Sequence, residues 1–377
     1  MQRMCNKYDP ISSMRSALLL LLFLLIAIGS YGQDNKRGKI IEQKILSTSI
    51  QGNPGGEDPM RSVTIYLPPG YEAGDHHYPV IYFLHGFGAD DKRVITETHF
   101  NALLDTAIIS GLIRPVILVI PNSHTHFRGS FYTNSSLMGN WADFISKDLV
   151  RYVDKNFRSI PNRNSRGLTG HSMGGHGALK IGMLYPEIFG SVYAMSPAVL
   201  NWAEEMNVNN PAFKVISSAK NEIEISGDFF NLVMTSLARA FSPNEKKPPF
   251  FANFPATYRG DSMIVNVDVV RQWEANFPLN MINDQLPGLK SLNALKIDWG
   301  RNDEFPHIPV TCLQFSKKLE AYGVSHMAEE YNGTHGDRIS GMEGRIYTEL
   351  IPFFNAFLKF EPESSHVVKA VPGKTKK

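Results

Sequence analysis

A short stretch in the middle of the chain constrains its fold more than any other. Residues 166–177 read Arg-Gly-Leu-Thr-Gly-His-Ser-Met-Gly-Gly-His-Gly and contain G-x-S-x-G at Gly170, Ser172 and Gly174. A serine hydroxyl is a poor nucleophile unless it is held clear of the backbone, beside a base and two free amide N–H groups. A tight strand-to-helix turn supplies that geometry. Such a turn crowds the backbone, so its neighbours must be small. Gly170 and Gly174 meet this need, and Gly175 and Gly177 let the following helix approach the sheet. The run Arg166–Thr169 before Ser172 reads as a strand, and the apolar pattern from Ala178 to Tyr185, stopped by Pro186, reads as a helix. Strand, turn and helix are the setting the motif requires, and Ser172 is the candidate nucleophile.

The chain around this turn alternates. Lys39–Ile50 and Arg61–Leu67 favour extended structure, with the Gly/Pro-rich link Gly52–Pro59 between them as a hairpin loop. Tyr78–Leu84 (YPVIYFL) and Arg114–Ile120 (RPVILVI) are unbroken apolar, β-branched runs, the mark of strands covered on both faces. A helix capped by Asp90 or Asp91 and running to Ile109 separates them. A helix over Asn140–Asn156 places Trp141, Phe144, Ile145, Leu149, Val153 and Phe157 on one core-facing stripe. Gly190–Ser196, Ser291–Trp299 and Ser325–Tyr331 continue the strands. Helices over Pro309–Tyr322 and Gly344–Phe360 follow the last two. This order predicts an α/β fold with a mostly parallel, doubly wound sheet, antiparallel strands at its amino-terminal edge and helices on both faces. Residues 198–290 break the rhythm and read as an insertion over the active edge of the sheet, facing the substrate.

At 377 residues and 43% hydrophobic side chains the chain can bury one large core. A net charge of +2, with no basic block before the last few residues, gives no argument for nucleic acid as a partner. The apolar run Ala17–Ile28 follows Arg15 and precedes Ser30-Tyr31-Gly32, the pattern of a signal peptide over residues 1–32 cleaved near Gly32/Gln33. The run is short for a membrane span, so no stable anchor is expected after cleavage, and a secreted or periplasmic location follows. Met14 could itself begin the signal peptide, with residues 1–13 coming from an upstream start codon. The organisation expected is a signal peptide at 1–32, one domain at 33–362 and a polar tail at 363–377. Cys312 would then be the single cysteine of the mature chain, a small core residue on a helix and without a disulfide partner.

A nucleophilic serine needs a base, and the base needs an orienting carboxylate. In this kind of sheet both sit on loops at the carboxyl ends of strands, in the order Ser, acid, His. Among the twelve histidines, those after Ser172 are His176, His307, His326, His335 and His366. His335, in the small-residue loop Gly333-Thr334-His335-Gly336-Asp337 after a strand, is the candidate base. Asp303, after the strand ending at Trp299, is the candidate acid, with Glu304 as its nearest rival. Asp298 lies inside the strand, and Asp337 would reverse the order. The backbone N–H groups of Phe87 and Met173 are the candidate oxyanion donors. His124 and His126 have the alternate spacing of a ligand pair, but with no third ligand in sight they read as loop or pocket histidines, and no metal site is expected. No phosphate loop or dinucleotide fingerprint is present.

With these residues in place, the chain resembles the esterase D family of α/β-hydrolases, a group of feruloyl and related carbohydrate esterases, S-formylglutathione hydrolases, siderophore esterases and mycolyltransferases. The likeness covers Arg61–Phe357 and rests on Val63-Thr64-Ile65-Tyr66-Leu67-Pro68-Pro69-Gly70-Tyr71, His85-Gly86-Phe87-Gly88, Gly170-His171-Ser172-Met173-Gly174-Gly175, Gly300-x-x-Asp303 and Gly333-Thr334-His335. It implies Ser172 as nucleophile, Asp303 as acid, His335 as base, oxyanion donors at Phe87 and Met173, and no metal or organic cofactor. The activity expected is an exported serine esterase acting through an acyl-enzyme on feruloyl or acetyl esters of carbohydrates. An acyltransferase with the same triad, a siderophore or thioester hydrolase, and a non-catalytic hydrolase-like binding module are the alternatives. The long stretch from Ala198 to Lys290 departs from the family pattern.

Overall fold

The computed structural model describes residues 37–361. The apolar run Ala17–Ile28, the cleavage position at Gly32/Gln33, the start at Met14 and the tail 363–377 lie outside the described residues. Within them, no helix is long and apolar enough to cross a membrane.

Eight strands form one sheet: β1 (Lys39–Leu46), β2 (Met60–Leu67), β3 (Val80–Leu84), β4 (Ile117–Pro121), β5 (Arg166–His171), β6 (Ser191–Met195), β7 (Ala294–Gly300) and β8 (Met327–Tyr331). Their spatial order is β1-β2-β4-β3-β5-β6-β7-β8. The β1–β2 and β2–β4 pairs are antiparallel, and every pair from β4–β3 to β7–β8 is parallel. The unbroken apolar run in β3 now has its reason. Val80, Tyr82 and Leu84 point into one core and Ile81 and Phe83 into the other, so both faces of the strand are buried. The same split divides β6 into Val192 and Ala194 on one side and Tyr193 and Met195 on the other.

The helices that position the site are α1 (Asp91–Thr98), α2 (Phe100–Ile109), α3 (Met173–Leu184), α4 (Phe229–Phe241) and α5 (His307–Ala321). The single helix expected from Asp90 to Ile109 is two helices. Thr98 Oγ1 donates to the Val94 carbonyl and accepts the Phe100 N–H at 3.2 Å, and His99 takes a left-handed conformation with φ 52°. A threonine hydroxyl competing for backbone partners in this way breaks a helix that the apolar pattern alone would carry through. The expected stripe over Asn140–Asn156 is one continuous helical run, Trp141–Asn156, with a wider π turn over Phe144–Leu149. Trp141, Phe144, Ile145, Leu149 and Val153 are buried, and Phe157 packs partly buried just beyond its end.

The region 198–290 carries more regular structure than its composition suggests. It holds helix α4, helices at Ala212–Ser218 and Val267–Glu274, and a hairpin of Ala256–Arg259 with Ser262–Val265. Asp228 caps α4 by accepting the Asn231 N–H at 2.9 Å. Met234, Leu237 and Ala238 of α4 join the same core as the sheet, and Trp202 stacks on Trp273 with centroids 5.4 Å apart. This region is thus built into the domain, and the amino-terminal end of α4 reaches Ser172 at the carboxyl end of β5.

Candidate active site

Ser172 sits between the end of β5 and the start of α3, with φ 60° and ψ −119°. A non-glycine residue in this conformation is strained by roughly 1–3 kcal/mol and persists only where its surroundings hold it. Here the Ser172 N–H donates to the Met195 carbonyl at 3.0 Å, and the Ser172 carbonyl accepts from His176 and Ala198 at 3.0 and 3.1 Å. The flanking glycines are required by contact. A Cβ on Gly174 would lie 1.9 Å from the Leu84 carbonyl oxygen, and one on Gly170 would lie 2.5 Å from the Gly174 backbone. The turn exposes the Ser172 hydroxyl to the cleft, where it has no hydrogen-bond partner among the described residues.

Asp303 and His335, 32 residues apart in sequence, meet across the β7 and β8 loops. His335 Nδ1 lies 2.8 Å from Asp303 Oδ2, with the carboxylate side chain fully buried and the imidazole 13% exposed. The other carboxylate oxygen accepts the Phe305 N–H at 2.9 Å. A buried acceptor on Nδ1 places the proton there and leaves Nε2 with a lone pair. Glu304, the rival acid, does something else: it accepts the His335 backbone N–H at 2.7 Å. Asp298 is buried within β7 and binds Tyr193 and Arg345, while Asp337 accepts the Thr334 N–H at 3.2 Å. The two loops are tied by the Arg301 N–H to the Tyr331 carbonyl at 2.8 Å and the Asn302 N–H to the Gly333 carbonyl at 2.9 Å.

The backbone N–H groups of Phe87 and Met173 have no acceptor among the described residues. Phe87 follows β3 and Met173 opens α3, where the first N–H groups of a helix are unpaired and carry its positive end. Two further histidines hold this arrangement. His85 has its Nδ1–H on the Gly86 carbonyl at 2.8 Å, and its Nε2 accepts the Ser123 N–H at 2.8 Å. Burial pushes its pKa down to about 4, so it stays neutral and fixes the turn before Phe87. His171 Nε2 donates to the His335 carbonyl at 2.9 Å, and its pKa falls to about 3 through burial first and the neighbouring His335 second. Sequence reasoning misses both roles. The only signal for His171 is its place beside the nucleophile.

The other histidines and Cys312 lie apart from this chemistry. His126 is exposed and pairs with Glu222 of the region 198–290 at 2.5 Å, and no group of three or more His, Cys, Asp or Glu suited to a metal occurs among the described residues. His307 is the first residue of α5 and bonds Glu205 through Nδ1 at 2.5 Å, while its Nε2 accepts the Val199 N–H at 3.1 Å. Cys312 is fully buried on α5.

Ser172, His171, His335, Phe87 and Gly86 line one cavity of about 330 Å³. A hydroxyl, an imidazole oriented by a buried carboxylate and two backbone N–H groups without acceptors, at the residue after Ser172 and on the Phe87 loop beside it, are the parts that acyl transfer needs: a nucleophile, a proton acceptor and a site for negative charge on oxygen. Catalytic hydrogen bonds of the Ser–His kind are often long before a substrate docks and tighten in the complex.

Comparison with known proteins matches residues 58–338 to the family described as "Putative esterase". An esterase of Mycobacterium tuberculosis is 34% identical over 163 residues, covering 42% of this chain and 32% of that protein. An endo-1,4-beta-xylanase/feruloyl esterase of Xylanibacter ruminicola is 28% identical over 173 residues, 43% of this chain and 22% of that one. The chain thus spans a third or less of these curated relatives. A solved ferulic acid esterase superposes with a TM-score of 0.60 at 20% identity, covering 86% of this chain and 99% of its own, which assigns the α/β-hydrolase fold.

Proposed function

The chain belongs to the esterase family, and from that premise we propose that it is an exported serine carboxylic-ester hydrolase acting through an acyl-enzyme on Ser172. The observation that carries this reading is the buried Asp303–His335 pair, 2.8 Å apart, whose imidazole faces the same cavity as the strained Ser172. In the proposed cycle, Ser172 Oγ attacks the ester carbonyl carbon and passes its proton to His335 Nε2. The carbonyl oxygen takes the negative charge between the Phe87 and Met173 N–H groups. Collapse breaks the bond to the alcohol oxygen, which takes the proton back from His335 and leaves. Water then enters, gives a proton to His335 and attacks the acyl carbon, so the acid departs and Ser172 recovers its proton. Asp303 stabilises the imidazolium at each stage without taking the proton.

The favoured substrates are acyl esters of carbohydrates. The combined xylanase/feruloyl esterase among the relatives supports that class, and the signal-peptide pattern at 1–32 supports a substrate met outside the cytoplasm. The test is release of free acid from acylated oligosaccharides by the purified protein, against Ser172→Ala. Acid release by the wild type alone supports the reading. Equal release by both, or none, refutes it. Transfer of the acyl group to an added sugar faster than to water would make the protein an acyltransferase instead.

A further inference from the structure

We propose that the enzyme is specific for short acyl groups, acetyl above all, on a bulky hydroxyl-rich alcohol, and that it excludes feruloyl; the inference rests on the hydrolase reading above. Two cavities meet at Ser172, sharing Phe87, Phe229 and Phe305 as walls. The larger, of about 330 Å³, carries His335, Gly336, Ile339 and Ser340 from the loop after β8 and Arg93 and Glu97 from α1. The smaller, of about 30 Å³, carries Phe131, Met173, Val199, Met206, Phe230 and Val233 and holds no part of the His335 loop.

The chemistry decides which half of the ester enters each. His335 must hand its proton to the departing alcohol oxygen, so the alcohol lies on the side of His335, in the larger cavity. The Phe87 and Met173 N–H groups hold the carbonyl oxygen. The remaining substituent of the acyl carbon is then directed into the smaller cavity, whose walls include Met173 itself. A single water needs roughly 10–15 Å³ of such space, so this chamber admits a methyl or ethyl group and little more.

Its inner walls do not yield easily, while Phe229 at the mouth is 46% exposed. Phe131, Met173, Met206 and Val233 are all buried, and Phe229 packs edge-on against Phe230 and stacked on Phe305, each with centroids 5.4 Å apart. The chamber also offers nothing to a phenol. Its one polar wall group besides Ser172 is His307, and both ring nitrogens are committed, Nδ1 to Glu205 and Nε2 to the Val199 N–H. A feruloyl ring would need both more room and a partner for its hydroxyl. The larger cavity has the opposite character, with Arg93, Glu97, Thr98 and Ser340 on its walls to meet the hydroxyl groups of a sugar.

The test compares kcat/KM for 4-nitrophenyl acetate, butyrate, octanoate and ferulate, which share a leaving group, in the wild type, Val233→Ala and Phe230→Ala. One misfit methylene in an apolar pocket changes kcat/KM by about 10–200-fold, so acetate should exceed butyrate by about 10-fold or more. Octanoate and ferulate should fall lower still. Each variant should raise the butyrate-to-acetate ratio by about 10-fold, a ratio within one preparation that is insensitive to how much of it is folded. Butyrate or ferulate turnover matching acetate in the wild type would overturn the proposal, as would an unchanged ratio in both variants. Hydrolysis of none of the esters would instead overturn the hydrolase reading, and this proposal with it.

Discussion

Replacing Asp303 by Asn exchanges one buried carboxylate oxygen for an NH₂ group, and the structure dictates which one. Asp303 Oδ1 accepts the Phe305 N–H at 2.9 Å and Oδ2 faces His335 Nδ1 at 2.8 Å. An amide has only one acceptor oxygen. Turned with its nitrogen toward Phe305, it would set two donors against each other in a fully buried position, at a cost of roughly 1–3 kcal/mol. The oxygen therefore stays on Phe305, and the NH₂ points at His335 Nδ1, which must become the acceptor. The imidazole proton moves to Nε2, and the base facing Ser172 is lost. A wrong tautomer in such a triad costs about 10⁴ in kcat, or about 5.4 kcal/mol of transition-state stabilisation. The assay is the turnover of 4-nitrophenyl acetate by wild type and Asp303→Asn at matched folded fraction, judged by circular dichroism and urea midpoint. A loss below about 10-fold in a folded variant would refute the reasoning, because the orienting role would then belong to another group, with Glu304 as the nearest candidate.

Three predictions concern the frame around the site. Lys180 on α3 is buried, bonded only to neutral partners, Thr133 and Asn276, and burial lowers its pKa to about 7. Between pH 7 and the unfolded value of 10.5 the unfolded chain holds the proton and the folded one does not, so stability rises with pH in that window. Urea unfolding of wild type against Lys180→Met should therefore show the wild type gaining about 1.4 kcal/mol per pH unit above pH 7, and a pH-independent difference would contradict it. Gly174→Ala puts a Cβ 1.9 Å from the Leu84 carbonyl and should lower stability by about 3 kcal/mol or more; a urea-derived loss under about 1 kcal/mol would mean that the turn can relax. Arg345→Met strands the buried Asp298, which Arg345 Nε contacts at 2.6 Å. It should cost about 3–5 kcal/mol, with a deficit in melting temperature that grows from pH 5 to pH 8 as the uncompensated carboxylate is forced to ionise.

Much of the fold is legible in the sequence because period and burial agree. In β3 and β4 the unbroken apolar, β-branched runs reflect strands covered on both faces. The turn at Ser172 is readable because its glycines answer to backbone contacts a few ångströms away, which any residue with a Cβ would violate. That Asp303 and His335 meet is legible because loops after strands in a parallel sheet all open at one edge. What sequence does not show depends on long-range contact. The split at His99 turns on one threonine hydroxyl. The helical content of 198–290 is stabilised by burial against the sheet core rather than by local propensity. His85 and His171 hold the site through backbone carbonyls and amides, partners that carry no sequence signature. The choice of Asp303 over Glu304 likewise rests on which side chain is buried against His335 and which reaches its backbone.

The central claim, a single activated hydroxyl at residue 172, is tested most directly by intact-protein and peptide mass spectrometry after treatment with a fluorophosphonate. The account predicts one adduct per chain, located on the peptide containing Ser172, absent from Ser172→Ala and strongly slowed in His335→Ala. No adduct on the wild type, or an adduct that persists at the same rate in Ser172→Ala, would contradict it.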